Sequence, residues 1–422
     1  MPTETLALNG GTPIRSASLP APYLGTSVYG REELDLLTEV IEKKLPFREY
    51  GDGTPHMVRD FEREARAYFD MPCALATATG SGSHYCAMAG VGVGPGDEVI
   101  IPSFGWYTDF EAPVLVGATP VFADIDRSLN MDPADFERKI TPRTKAVIVV
   151  FFQGATNDMD AILRIARAHR ILVIEDCAQA CGATYKGRKI GGLGDVACFS
   201  FQQNKILSTG DGGLLLARDP VIFERAVRFH DLGFVRPSLK AQFGEEHVPE
   251  FSGCQFRMNE FTGAVALAQL RKLDSAILDV TRRHYRNLKK RVLEECPGLK
   301  LRPVGDADGD AGIAFFMDFG APSRAAEFAK ALSAEGIRVG PSSGCCNLLN
   351  TALVQKKQQV HPALPPFGPG CPGENIRYSP DQCPQTDEIV NSMVCVAIAP
   401  PFTDADLDDI ARGIIKVWRS RT

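Results

Sequence analysis

The sequence predicts an α/β fold: a central, mostly parallel sheet with helices on both faces, followed by a smaller α+β unit. Two observations predict it. From about residue 72 to 217 short apolar runs alternate with helical patterns, and each run is continuously apolar, as strands buried on both faces require. After about residue 300 a strand-like run followed by helices replaces that alternation, and 422 residues exceed what one ordinary core serves. The expected division is an N-terminal arm (1–30), a large α/β unit (31–275) and a small C-terminal α+β unit (276–422).

Residues 1–30 are rich in Gly, Pro, Ser and Ala, as in Asn9-Gly-Gly-Thr-Pro13 and Pro20-Ala-Pro22, which predicts an extended arm of the kind that packs across a neighbouring subunit. Helical periodicity runs from Glu32 through Ile41 and again from Met57 to Phe69, and the glycine-rich loop Tyr50-Gly-Asp-Gly-Thr54 between them is flexible enough to border a site. Strands are expected at 74–77, 98–101, 119–123, 146–152, 171–175 and 196–200, with helices at 83–91 and 161–169. Two long helices follow at 260–273 and 280–295. The small unit then begins with a strand at 314–319 and continues in helices at 324–335 and 403–418.

Composition narrows the function. Hydrophobic residues make up 44% of the chain, enough for a large interior, and a net charge of −6 with no Lys/Arg block offers nucleic acid no basic field. The longest apolar run, 146–152, is far short of a bilayer span, and Met1-Pro-Thr-Glu-Thr lacks the charged and apolar regions of a signal peptide, so a cytoplasmic protein without a membrane partner is expected. The twelve cysteines are irregularly spaced with no Cys-x-x-Cys, which predicts reduced, mostly buried thiols and no metal site.

The chemistry gathers around Lys205. It lies in Cys198-Phe-Ser-Phe-Gln-Gln-Asn-Lys205, where an apolar strand runs into a polar loop, with Ser200 five residues before it and Gly210-Asp-Gly-Gly213 after it. An amine delivered from a buried strand end suits a Schiff base with an aldehyde cofactor that carries a phosphate, and pyridoxal phosphate is the cofactor expected. Thr79-Gly80-Ser81-Gly82-Ser83 stands directly before a helix, where converging N–H groups and the helix dipole favour a phosphate. Asp176 ends the apolar strand Ile171-Leu-Val-Ile-Glu175, the position for a buried carboxylate that keeps a pyridine nitrogen protonated. Gln179, three residues on, suits the ring hydroxyl, and Trp106, one of two tryptophans, follows another strand end and suits the ring face. Singly these are an N-cap run, a capping aspartate and a core tryptophan. Their order, each after a strand, makes them one constellation.

Together these residues resemble the DegT/DnrJ/StrS family of sugar aminotransferases, which have the aspartate aminotransferase-like (type I) fold. The resemblance runs from about residue 5 to the C-terminus. It is carried by Gly94-Pro-Gly-Asp-Glu-Val-Ile-Ile-Pro-Ser-Phe104, Glu175-Asp-Cys-Ala-Gln-Ala-Cys-Gly-Ala-Thr-Tyr-Lys-Gly187, Gly194 to Phe201 with Lys205, Gly210-Asp-Gly-Gly213 and Arg257-Met258. It implies that Lys205 holds the cofactor as an aldimine, Asp176 pairs with the ring nitrogen, Trp106 stacks, Gln179 lies near the ring hydroxyl, and Gly80, Ser81 and Ser200, with Gly82 in the same loop, hold the phosphate. It further implies a homodimer with shared active sites, in which Gln255 of Gly253-Cys-Gln-Phe-Arg-Met258 stands where the family has an asparagine that reaches the partner's phosphate. Gln153 likewise stands where the family usually has a histidine. Retention of a lysine at 205 favours transfer of an amino group from L-glutamate or L-glutamine to a keto or aldehyde sugar or cyclitol.

The opening Leu6 to Arg15 looks like glutamine-dependent scyllo-inosose aminotransferases and aminohydroxybenzoate synthases, whereas 271–274 and 384–388 look closer to 8-amino-3,8-dideoxy-octulosonate aminotransferases. A dehydratase or aromatising synthase on the same cofactor is the alternative enzyme. A regulatory protein that binds the cofactor without catalysis is the non-enzymatic one. Tyr50 to Thr54, His230 and Gly344-Cys-Cys-Asn347 are expected to shape the acceptor pocket, with His230 also open to a structural role.

Overall fold

Seven short strands whose residues are buried on both sides form the centre of the molecule, in a computed structural model that describes residues 4–49, 56–340 and 345–421. They are β1 (Cys73–Thr77), β2 (Glu98–Pro102), β3 (Thr119–Ala123), β4 (Thr144–Val150), β5 (Leu172–Asp176), β6 (Val196–Ser200) and β7 (Gly213–Ala217). Their order in the sheet is β1-β7-β6-β5-β4-β2-β3. Only β7 runs against the rest: it pairs antiparallel with β1 and β6, and the other neighbours pair in parallel. Side chains alternate across the strands, so Val147 and Val149 enter one hydrophobic cluster while Ala146, Ile148 and Val150 enter the cluster on the opposite face. Burying each Val or Ile in this way stabilises the fold by roughly 1.5–3 kcal/mol. The mostly parallel α/β sheet is the one expected.

The C-terminal ends of β1, β2, β4, β5 and β6 share one edge of this sheet. Each of the motifs singled out above follows one of them. Several expected boundaries shift. The run 146–152 leaves the ladder at Val150, because Phe152 donates its N–H to Asn130 Oδ1 (3.0 Å) and Gln153 turns left-handed at φ 49°. The helices expected at 260–273 and 280–295 run as Glu260–Lys272 and Asp279–Glu295, joined by a π-helical turn over Leu273–Leu278.

A second sheet, β8 (Lys300–Leu301), β9 (Ala314–Asp318) and β10 (Met393–Ala397), is antiparallel throughout. Helices Pro322–Ala334 and Asp404–Arg419 supply its cover. Between β9 and β10 the chain returns to the large sheet: Cys346–Asn347 pairs with Phe104–Gly105, and Tyr378 donates to the Pro120 carbonyl (2.7 Å). The N-terminal arm packs on its own chain. Glu335, fully buried, accepts from the Ala7 and Ile14 amides (2.8 and 3.1 Å) and pairs with Lys416 (2.8 Å), while Gly25 donates to the Lys205 carbonyl (3.2 Å). No helix among the described residues is long and apolar enough to cross a membrane. The loop Tyr50 to Thr54 lies outside the described residues, as does Gly344.

Candidate active site

A cleft of about 680 Å³ opens at the shared strand edge. Of the residues singled out from the sequence, Gly80, Ser81, Trp106, Asp176, Gln179, Ser200 and Lys205 line it. Period two explains the placement of Asp176: its neighbour Glu175 points to the other face, where it accepts the N–H groups of Gly191, Leu193 and Gly194 at 2.7–2.8 Å and pins that loop. Asp176 therefore faces the cleft, 6% exposed, with Oδ1 accepting from the Ala178 N–H (2.9 Å). Lys205 arrives from the loop after β6, which is fixed by its own N–H donating to Gln202 (2.8 Å), and its charge acts on Asp176.

The helix Gly80–Val91 begins at the opposite wall. Thr79 caps it by accepting the Gly82 N–H (2.9 Å), which leaves the Gly80 and Ser81 amides at the helix start without intrahelical acceptors. A side chain at Gly80 would bring its Cβ within 2.5 Å of Ser200 Cβ, so glycine lets the two walls meet. Ser81 Oγ lies 2.9 Å from Thr108 Oγ1. Gln179 Nε2 donates to Cys345 Sγ (3.1 Å), and its buried Oε1 has no hydrogen-bond partner among the described residues. Trp106, 47% exposed, stands at the rim as the N-cap of the helix Tyr107–Leu115.

Two of the expected residues, Gly82 and Gln255, are not among those that line the cleft, and of these Gln255 was expected to serve a partner's site. Gly82 spends its N–H on Thr79, and the ring of Phe256 lies 3.1 Å from where its Cβ would be, so its glycine serves packing. Gln255 is exposed, bridged to Asp231 outside the cleft lining. His230 is also absent from the lining. It is 1% exposed, and burial, reinforced by Arg48 and Arg257, pulls its imidazole down to about 3, the behaviour of a neutral core histidine. Sequence reasoning missed His84, Thr108, Asp211 and Arg338, all of which line the cleft, and it named Gln153, which lines it too, only as a departure from the family pattern. His84 lies 3.5 Å from Asp176 and 4.0 Å from Asp109; these three approach closely enough to be considered for a metal, but the ion pair among them accounts for their spacing.

The residues present fit pyridoxal phosphate. A buried carboxylate faces the cleft for the ring nitrogen, an unpartnered Gln179 oxygen is buried in the same wall, a helix start with two serine hydroxyls suits the phosphate, and a lysine stands opposite.

Comparison with known proteins agrees with this geometry. Residues 31–415 match the model of the DegT/DnrJ/EryC1/StrS aminotransferase family. An L-glutamine:2-deoxy-scyllo-inosose aminotransferase of Streptoalloteichus tenebrarius is 35% identical over 321 residues, 74% of this chain and 73% of that one. A GDP-perosamine synthase of Caulobacter vibrioides is 40% identical over 216 residues, 51% of this chain and 56% of that one. Among solved structures, 3-amino-5-hydroxybenzoic acid synthase superposes with a TM-score of 0.77 at 27% identity, covering 97% of this chain and 100% of that one. The chain belongs to the DegT/DnrJ/EryC1/StrS aminotransferase family.

Proposed function

We propose that this chain is a pyridoxal-phosphate-dependent aminotransferase that transfers an amino group from L-glutamate or L-glutamine to a keto or aldehyde group of a sugar or cyclitol. The observation that carries the reading is the convergence of Lys205 and Asp176 on one cleft whose far wall is a helix start. Bound there, the cofactor supplies an aldehyde for the donor amine and an electron-withdrawing ring. Lys205 Nζ would hold the cofactor's aldehyde until the donor amine displaces it, and the freed amine would then be the base positioned to move the proton of the donor's Cα. Asp176 holds the proton on the ring nitrogen, and the Gly80 and Ser81 amides with the Ser81 and Ser200 hydroxyls bind the phosphate. Trp106 covers the ring face, Gln179 meets the ring hydroxyl, and Arg338 offers a guanidinium for the donor's carboxylate.

The enzyme works in the cytoplasm as a homodimer, with Gln255 exposed outside its own cleft and serving the partner's. The similarity to the glutamine-dependent inosose aminotransferase supports the cyclitol acceptor, and that to the perosamine synthase the sugar acceptor. An aromatising synthase on the same scaffold is the second reading, favoured by the hydroxybenzoate synthase superposition. Incubating cofactor-loaded protein with glutamate and with glutamine separates them: the aminotransferase reading expects pyridoxamine phosphate, and none with either donor contradicts it. Lys205→Ala is expected to abolish both the visible absorbance and turnover.

A further inference from the structure

Three buried ionisable side chains, His84, Asp109 and Asp176, stand together at the wall of the cleft, and only Asp176 has a part in the chemistry above. His84 lies in the first turns of the helix that starts at Gly80, and its Nδ1–H donates to the Gly80 carbonyl (3.0 Å), which fixes the ring's rotation. That bond aims Nε2 at Asp176 Oδ2, 3.5 Å away, and at Asp109 Oδ1, 4.0 Å away. The other oxygen of each aspartate is tied to its own loop: Asp176 Oδ1 accepts from the Ala178 N–H (2.9 Å) and Asp109 Oδ2 from the Trp106 N–H (3.1 Å). His84 is 2% exposed and Asp109 fully buried, and neither His84 Nε2 nor Asp109 Oδ1 has a hydrogen-bond partner among the described residues.

Resting on the function proposed above, we propose that His84 is a positioning residue for the carboxylate that meets the cofactor nitrogen: its Nε2 edge, held towards Asp176 Oδ2, keeps that carboxylate ionised and fixed in direction, with Asp109 flanking the same edge of the imidazole. Two buried carboxyls with oxygens within 4.8 Å of each other do not both ionise without a cation between them. Burial is the largest influence on His84 and opposes its charge, yet Asp176 and Asp109 outweigh it and carry the imidazole up to about 9. Burial acts to raise Asp176, but His84, the Ala178 N–H and Lys205 bring it below the ordinary carboxylate range. Asp109 takes the opposite course. Burial and the charge of Asp176 push its carboxyl well up, so it bears the proton and His84's charge goes to Asp176.

Other titratable groups around the trio are Cys177 next to Asp176, Cys198 on β6 with Cys86 of His84's own helix behind it, and Lys205. Burial pushes all three thiols up, so they stay neutral. What the cofactor nitrogen meets is one anion already oriented by one cation. The carboxylate need not lose a proton or swing into place when the ring arrives.

The test combines one substitution with one titration. In His84→Leu the cofactor's dissociation constant is expected to rise about tenfold or more, as when a buried carboxylate loses its charged partner. The pH midpoint of its visible band is expected to move upward, because a cation near the ring is gone. A merely structural histidine would not move that midpoint. In cofactor-free protein, the imidazole proton signals of His84 followed by NMR are expected to titrate well above the ordinary value of about 6.5, with Asp176→Asn lowering the midpoint more than Asp109→Asn. His84→Leu with native affinity and midpoint, or His84 titrating at or below about 6.5 in the unsubstituted protein, overturns the proposal. If His84→Leu does not fold, the titration decides alone. A native chain that never takes up pyridoxal phosphate contradicts the aminotransferase reading instead, and the titration still decides the His84–Asp176 pair.

Discussion

At the scale of the residue, the adjacent acids Glu175 and Asp176 show how a strand sorts chemistry from architecture. Both are buried at the end of β5. One accepts three backbone N–H groups on the far face and the other opens on the cleft, and the alternation of a strand is the whole difference. Asp176, Gln179, Ser200 and Lys205 were legible in the sequence because each sits at or just past an apolar strand end. His84 and Asp109 were not, because each lies inside a helix and becomes significant only when three separate elements meet. Their charges predict a pH dependence. The folded pKa of His84 is raised above its unfolded value, so its contribution to stability is complete below about pH 6.5 and is lost as the pH rises through about 9. That contribution is at most about 3 kcal/mol. Urea unfolding of the cofactor-free protein should show the alkaline loss, and His84→Leu should flatten it; an equally steep fall in the variant contradicts the pairing.

At the scale of the element, the helix start at Gly80 was legible as a phosphate loop, but not which of its glycines faces the ligand. Geometry separates them. Gly80→Ala drives a Cβ to 2.5 Å from Ser200 Cβ, both ends being held by backbone, whereas Gly82→Ala meets only side chains that can give way, the Phe256 ring at 3.1 Å and Thr79 Oγ1 at 3.3 Å. Gly80→Ala is therefore expected to weaken cofactor binding about tenfold or more and Gly82→Ala about threefold or less, measured by titration with pyridoxal phosphate. Equal losses would return Gly82 to the cradle. Besides the two-residue β8, the strands β7 and β10 escaped the sequence. β7 begins on Gly213, the last residue of the turn-like Gly210-Asp-Gly-Gly213, and β10 is a five-residue run after helix Gln385–Asn391; ladder partners far along the chain make each a strand.

At the scale of the whole molecule, the arm was legible as extended from its Gly and Pro content, but not the surface it covers. Its amides converge on Glu335, whose carboxylate is also paired with Lys416. Glu335→Ala leaves that lysine buried without its anion and is expected to cost about 3 kcal/mol or more in urea unfolding. A change under about 1 kcal/mol would show that the arm does not depend on it. Because residues 21–24 line the cleft and Gly25 bonds the Lys205 carbonyl, the same variant should also bind the cofactor less tightly. Shared active sites predict complementation: if a Gln255 substitution inactivates the enzyme, an equal mixture with Lys205→Ala, dissociated and reassembled, should recover about a quarter of native activity from the one intact site in each mixed dimer. No recovery would place Gln255 outside the partner's site.

The proposed chemistry requires a cofactor joined to one amine, and reduction tests that bond directly. Protein loaded with pyridoxal phosphate, treated with borohydride and digested, is expected to carry the pyridoxyl mass on the peptide containing Lys205 and to show none in Lys205→Ala. A label spread over several surface lysines, or fixed on any lysine other than Lys205, would contradict it.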